Sequence, residues 1–147
     1  MKTVWIDAGH GGNDPGAINK SLGLYEKDLA LKLALEIEKK LKEYGINVVM
    51  TRKDDVTMNY IQRYQLENKN NCNLALSIHF NSCSKENTAT GAEVWVHSKA
   101  YPVTVRFAES LLQHISRVDY IKIRGVKKGY PGNPSVDFWC NRLTKSL

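Results

Sequence analysis

Two of the four histidines stand directly after runs that read as β-strands. His10 follows residues 3–7 in the stretch Ala8, Gly9, His10, Gly11, Gly12, and His79 ends a second run over residues 74–78. Neutral imidazole is the commonest metal-binding side chain, and a catalytic zinc usually takes three protein ligands with a position left for water. Alone, each histidine is better explained by a capped or core residue at a strand end than by a ligand. As a pair they gain weight, because open α/β sheets hold ligands beyond the carboxyl ends of their strands. Glu26, at the opening of a long helix, is the best-placed third ligand. A carboxylate in a first helical turn is also favoured by the helix dipole, so position alone leaves both explanations of Glu26 open. His97 lies in or just after an alternating strand and His114 on a helix, and neither follows a glycine loop. Asn81, two residues beyond His79, could hydrogen-bond a substrate at the metal or cap a turn. The glycines between Gly9 and Gly16 match neither a dinucleotide nor a P-loop pattern.

These residues need a scaffold that ends strands at one edge. Residues 3–7 are β-rich and break into glycines, with Pro15 and Gly16 marking a further turn. From residue 24 to about 44, Leu29, Leu33, Ile37 and Leu41 recur at helical spacing, and Gly45 stops the helix. Residues 47–50 then read as a buried strand running to Thr51 and Arg52. Residues 57–69 form a second, weaker helix before the strand over 74–78, where alternation points Ser77, His79 and Asn81 the same way if the strand continues. A polar loop over 82–90, a strand over 92–97 and an amphipathic helix over 103–115 follow. Strands alternating with helices predict an α/β layered sandwich with a central, largely parallel mixed sheet flanked by helices. After Val118, the crowding of Gly125, Gly129, Pro131, Gly132 and Pro134 predicts a long loop, with Trp139 and Cys140 in a short apolar patch.

With 147 residues, 42% hydrophobic and 24% charged, the chain has the composition of one soluble domain with its own core. No apolar run approaches a membrane span, and the opening Met1, Lys2, Thr3, Val4, Trp5 does not read as a secretory leader, which predicts synthesis in the cytoplasm without a signal peptide. Cys72, Cys83 and Cys140 are odd in number and lack CxxC spacing, which indicates neither a disulfide framework nor a thiolate zinc site. The net charge of +6 favours an anionic partner. The basic residues form no stripe interleaved with stacking aromatics, so nucleic acid is not the expected partner. Their densest group, Lys122, Arg124, Lys127 and Lys128, reads as a solvated loop.

The run Val4, Trp5, Ile6, Asp7, Ala8, Gly9, His10, Gly11, Gly12 resembles the opening strand and first zinc histidine of the zinc-dependent N-acetylmuramoyl-L-alanine amidases, phage lysins and bacterial autolysins that cleave peptidoglycan. Gly23, Leu24, Tyr25, Glu26, Lys27, Asp28 is similar to the segment carrying that family's zinc glutamate, and Ser77, Ile78, His79, Phe80, Asn81 to the one carrying its second zinc histidine. Order and separations agree. Thr51, Arg52, Arg63, the run Gly91, Ala92, Glu93, Val94 and the run Arg124, Gly125, Val126, Lys127 extend the likeness over nearly the whole chain.

The resemblance implies that His10, Glu26 and His79 bind one zinc ion. The substrate it implies is the amide joining the lactyl group of N-acetylmuramic acid to L-alanine, with Asn81 as a substrate-binding candidate. Zinc would polarise the scissile carbonyl and activate water, while a carboxylate carries the proton to the leaving amine. The family holds that general-base glutamate in a last strand, within a Glu, Leu or Ile, Gly, Phe pattern. This sequence has no such segment and no Glu after Glu109, and Glu93 matches a structural strand position instead. The catalytic residue is therefore unassigned, and the expectation is one amidase catalytic domain over 1–147 cut short at its C-terminus. The expected partner is bacterial peptidoglycan, reached by phage-type release or as a domain excised from a larger wall hydrolase. Two alternatives stand beside it: a non-catalytic, zinc-containing peptidoglycan-binding domain that lacks the base, and a metal-independent nucleic-acid binder resting on charge alone.

Overall fold

The structure, a computed structural model, describes residues 2–82 and 90–129. Its elements run β1 (Thr3–Ala8), β2 (Ile18–Asn19), β3 (Leu24–Tyr25), α1 (Glu26–Glu43), β4 (Asn47–Met50), α2 (Tyr60–Lys69), β5 (Leu74–Ile78), β6 (Ala92–His97), α3 (Pro102–Ile115) and β7 (Ile123–Gly129). The chain divides into two compact units, whose described residues are 2–82 and 90–129.

In the first unit β1 is the central strand. Its β-branched and aromatic residues suit a strand covered on both sides, and five of its six residues are buried. It pairs in parallel with β4 on one side and β5 on the other, in the order β4-β1-β5. The connection β1-α1-β4 leads one way across the sheet, and β4-α2-β5 returns past β1. Right-handed crossovers in opposite directions place their helices on opposite faces. Side chains bear this out: Val4, Ile6 and Ala8 cluster with Ala30 and Ala34 of α1, whereas Asp7, at an intervening position, bonds Arg63 of α2.

The buried stripe of α1 is Glu26, Ala30, Ala34 and Glu38, four residues apart throughout. Alanines at its centre let the helix lie close on the sheet, and Leu31, Leu35, Ile37 and Leu41 close the flanks. The expected stripe is thus rotated: Leu33 is 43% exposed, because the narrow face of small side chains, rather than the leucine row, meets the strands. Gly45, at φ 71°, ends the helix as anticipated, with Gly45 N–H on Lys42 O and Ile46 N–H on Leu41 O. The second helix starts three residues later than its periodicity suggested. Asn59 caps it, its side chain accepting from Gln62 N–H at 2.9 Å while the Gln62 side chain accepts from Asn59 N–H at 2.9 Å.

In the second unit β6 and β7 pair in parallel and α3 connects them, with Ala108 and Leu112 of the helix buried. β7 corrects the loop expected after Val118. Its glycines and lysines hide strand propensity, which is realised once Val94 and Val96 of β6 supply partners for Val126 and Lys128. Lys122, Arg124 and Lys128 are nonetheless exposed, as the solvated expectation had it. The α/β class with a mostly parallel sheet and flanking helices holds. No described helix is long and apolar enough to cross a membrane. Cys72 is buried, whereas Cys83, Cys140, Trp139, Pro131, Gly132, Pro134 and most of the expected 82–90 loop lie outside the described residues.

Candidate metal centre

Parallel pairing sets Ala8 of β1 opposite Ile78 of β5, and Gly9 N–H continues the ladder onto Ile78 O at 3.1 Å. His10 and His79 leave these adjacent strand ends together, their ring centroids 4.9 Å apart and their planes at 83°. β5 stops at Ile78, so strand alternation does not extend to His79 and Asn81. The close approach depends on Gly9: a Cβ there would lie 2.5 Å from His79 Cε1 and 2.7 Å from Ile78 O. His10 itself sits at φ 60°, a left-handed conformation uncommon outside glycine that marks a locally constrained backbone.

Glu26 enters from α1. The small hairpin of β2 and β3 pairs Ile18 with Tyr25, which brings the Ala17 backbone beside the helix start. Ala17 N–H donates to Glu26 Oε2 at 2.8 Å, and Phe80 N–H donates to Oε1 at 2.7 Å. The position of Glu26 is compatible with both explanations, since it is the first residue of α1 and also faces the two rings. Its Oε1 lies 3.1 Å from His10 Nε2 and 3.0 Å from His79 Nδ1, and those nitrogens are 3.2 Å apart. Burial would raise the Glu26 carboxyl, but the His79 hydrogen bond and the Ala17 and Phe80 N–H groups prevail and bring it down to about 2. The group is an anion at neutral pH.

The donor set fits a metal ion. Three ligands of a tetrahedral zinc at 2.0–2.1 Å stand about 3.3 Å from one another, close to the observed edges of 3.0–3.2 Å. Among the described residues, His10, Glu26 and His79 are the group of three that could hold a metal. Their burial is graded: Glu26 is buried, His10 has 22% of its side chain exposed and His79 44%, which leaves the centre open to solvent on the His79 side. His10 Nδ1 is taken by Asp14 Oδ2 at 2.8 Å, and Asp14 Oδ1 accepts from Gly16 N–H. A carboxylate on Nδ1 fixes the tautomer and turns Nε2 toward the centre. Asp14 is held below its ordinary value: burial opposes this, and the His10 and Gly16 hydrogen bonds outweigh it.

Beneath the centre two buried arginines collect the carbonyls of the strand end. Arg63 donates to Asp7 Oδ1 at 2.6 Å, Ala8 O at 2.9 Å and His10 O at 2.6 Å. Arg52 donates to Ala8 O at 3.0 Å, Gly9 O at 2.9 Å and Lys27 O at 2.7 Å, so it ties the His10 loop to the first turn of α1. Asp7 Oδ2 accepts from Ser77 Oγ at 2.7 Å.

A family pattern described as N-acetylmuramoyl-L-alanine amidase matches residues 4–144. The chain belongs to the N-acetylmuramoyl-L-alanine amidase family. It is 43% identical over 97 residues to the probable N-acetylmuramoyl-L-alanine amidase AmiB of Haemophilus influenzae, a match covering 65% of this chain and 22% of that protein. Two further curated relatives are covered over 40% and 45% of their length, so the chain spans less than half of these proteins. Among solved structures, the amidase AmiC2 of Nostoc punctiforme superposes with a TM-score of 0.86 at 30% identity, over 99% of this chain and 74% of that one. Cwp6 of Clostridium difficile gives 0.90 at 34% identity, over 99% of this chain and 23% of that one.

Among the described residues, the group that could hold a metal includes neither His97 nor His114. His97 Nδ1 accepts from Lys99 N–H, and His114 Nδ1 donates to Ser110 O. Asn81 is exposed, two residues beyond His79. Asp14, Lys27, Asp55 and the carbonyl-binding role of the arginines were not anticipated. A signal existed for Asp14 alone, which lies four residues after His10 within the same glycine-bounded loop.

Proposed function

We propose that the chain carries the catalytic metal site of a zinc-dependent amidase, which hydrolyses the amide between N-acetylmuramic acid and L-alanine in peptidoglycan. The observation that carries this is the His10, Glu26 and His79 triangle with edges of 3.0–3.2 Å in a chain of this family. One zinc ion held there would supply Lewis acidity toward the scissile carbonyl and toward water. The residues of the chain do the rest. Glu26 contributes a charge that is ionised before any metal arrives, Asp14 keeps His10 Nε2 free as a donor, and the exposed His79 ring leaves an approach for a polymeric substrate. Asn81 is the substrate-contacting candidate beside it. The wall is the proposed site of action, and the net charge of +6 favours an approach to anionic wall polymers.

The test treats purified peptidoglycan with the natural protein and follows new L-alanine amino termini. Release is expected to stop in chelator and to return with added zinc. Unchanged release in chelator, or none from metal-loaded protein, overturns the amidase proposal. Zinc and wall binding without any release would instead favour the non-catalytic binding domain.

A further inference from the structure

Lys27 follows Glu26 on α1, and its side chain reaches back over the loop that carries His10. Its Nζ donates to Gly12 O at 2.9 Å and to Asp55 Oδ2 at 2.6 Å. The other oxygen of that carboxylate, Asp55 Oδ1, accepts from Gly12 N–H at 2.7 Å. One ion pair therefore occupies both backbone groups of Gly12, two residues beyond His10. Asp55 comes from the segment after β4, which also anchors this loop through Arg52 on Gly9 O and through Thr57 Oγ1 on Asn13 N–H at 3.0 Å. The loop's own backbone pairing is confined to a bridge between Gly11 and Asp14.

A part-exposed ion pair adds little to global stability, and here Asp55 is 46% exposed against 17% for Lys27. Its geometric consequence is larger. Lys27 is covalently next to Glu26, and Gly12 is two residues along the chain from His10, so the pair sets the separation of two candidate ligands that arrive from different elements. Ligand sets need placement to about 0.5 Å, which a bare glycine loop does not provide.

We propose that Lys27 and Asp55 are a positioning pair for the metal centre, fixing the His10 loop against the first turn of α1 so that His10 Nε2 and Glu26 Oε1 present themselves at ligand spacing. This rests on the triad being a metal centre, and the test separates the two. Zinc affinity of the full-length protein is measured by competition with a chromogenic chelator, cobalt loading by its visible spectrum, and thermal unfolding in the metal-free state. Lys27→Met and Asp55→Ala are each expected to weaken zinc on the order of tenfold, in the range seen for outer-shell partners of metal ligands, and to alter the cobalt spectrum. The double variant is expected to lose no more than the worse single one, since the two act as a unit. Lys27→Arg, which can still donate to both acceptors, is expected to recover most of the affinity, and metal-free unfolding is expected to move little. Zinc binding equal to wild type in both single variants, fully additive losses, or a loss of metal-free fold that accounts for the effect overturns the positioning role. A wild-type protein that takes up neither zinc nor cobalt overturns the metal reading itself and the pair's role with it.

Discussion

Glu26 stands at the helix terminus and in the proposed metal triangle, and the two roles use the same property. A carboxylate at the start of α1 meets the positive end of the helix dipole. Its oxygens also collect the Ala17 and Phe80 N–H groups and face both imidazoles. Because these contacts favour the charged form, its folded value of about 2 lies below the ordinary 4.5. The sign follows from linkage: the carboxylate stabilises the fold fully above its unfolded value, and that contribution is lost as pH falls from about 4.5 toward 2. In chelator, urea unfolding across this range is expected to show a steeper acid loss for wild type than for Glu26→Gln, whose side chain does not titrate. Equal slopes would mean that the contacts do not favour the anion. The histidines stood out as a pair because each directly follows a run that reads as a strand, and for His10 the flanking glycines add a second local signal. Glu26 stayed ambiguous in the sequence because dipole and ligand ask for the same residue type at the same place, and only the convergence of His10 and His79 distinguishes them.

At the scale of elements, the site depends on how β1 ends. A strand that runs into glycines would leave the carbonyls of Ala8, Gly9 and His10 without partners, yet they are taken by Arg52 and Arg63 from 43 or more residues away. Nothing local in the sequence announces such long-range partners, which is why the arginines registered only through family likeness. The same cause hid β7, whose strand character depends on β6, whereas β1, α1 and β5 were readable from their own periodicity. Arg63 and Asp7 have 7% and 1% of their side chains exposed. Removing one member of a buried pair strands the other charge, at a cost of about 3–5 kcal/mol. Arg63→Met is therefore expected to lower the urea unfolding free energy by about that amount. Arg63→Lys is expected to lose less, because it keeps the charge and forfeits only the fork that reaches four acceptors at once. A Met variant as stable as wild type would show that Asp7 finds another partner.

For the whole molecule, the proposed function requires a chain with a small, solvent-facing candidate metal site to find an insoluble polymer. Its net charge of +6 is unevenly placed: Lys122, Arg124, Lys127 and Lys128 fall on or beside β7 in the second unit, while the acidic ligand and its neighbours lie in the first. Approach to a wall rich in anionic polymers and chemistry at the triad should then respond differently to salt. Exposed charges are screened as the Debye length shrinks from about 10 Å at 0.1 M to about 3 Å at 1 M, whereas ligation by a buried carboxylate and two imidazoles is not governed by that length. Sedimentation with purified walls is expected to fall steeply over this range while zinc affinity changes little. Lys122→Gln together with Lys128→Gln, both at exposed positions, is expected to flatten the salt dependence and leave zinc binding intact. If wall association is insensitive to salt, or the double variant behaves as wild type, attraction to the wall does not come from this charge and must come from contacts at the centre itself.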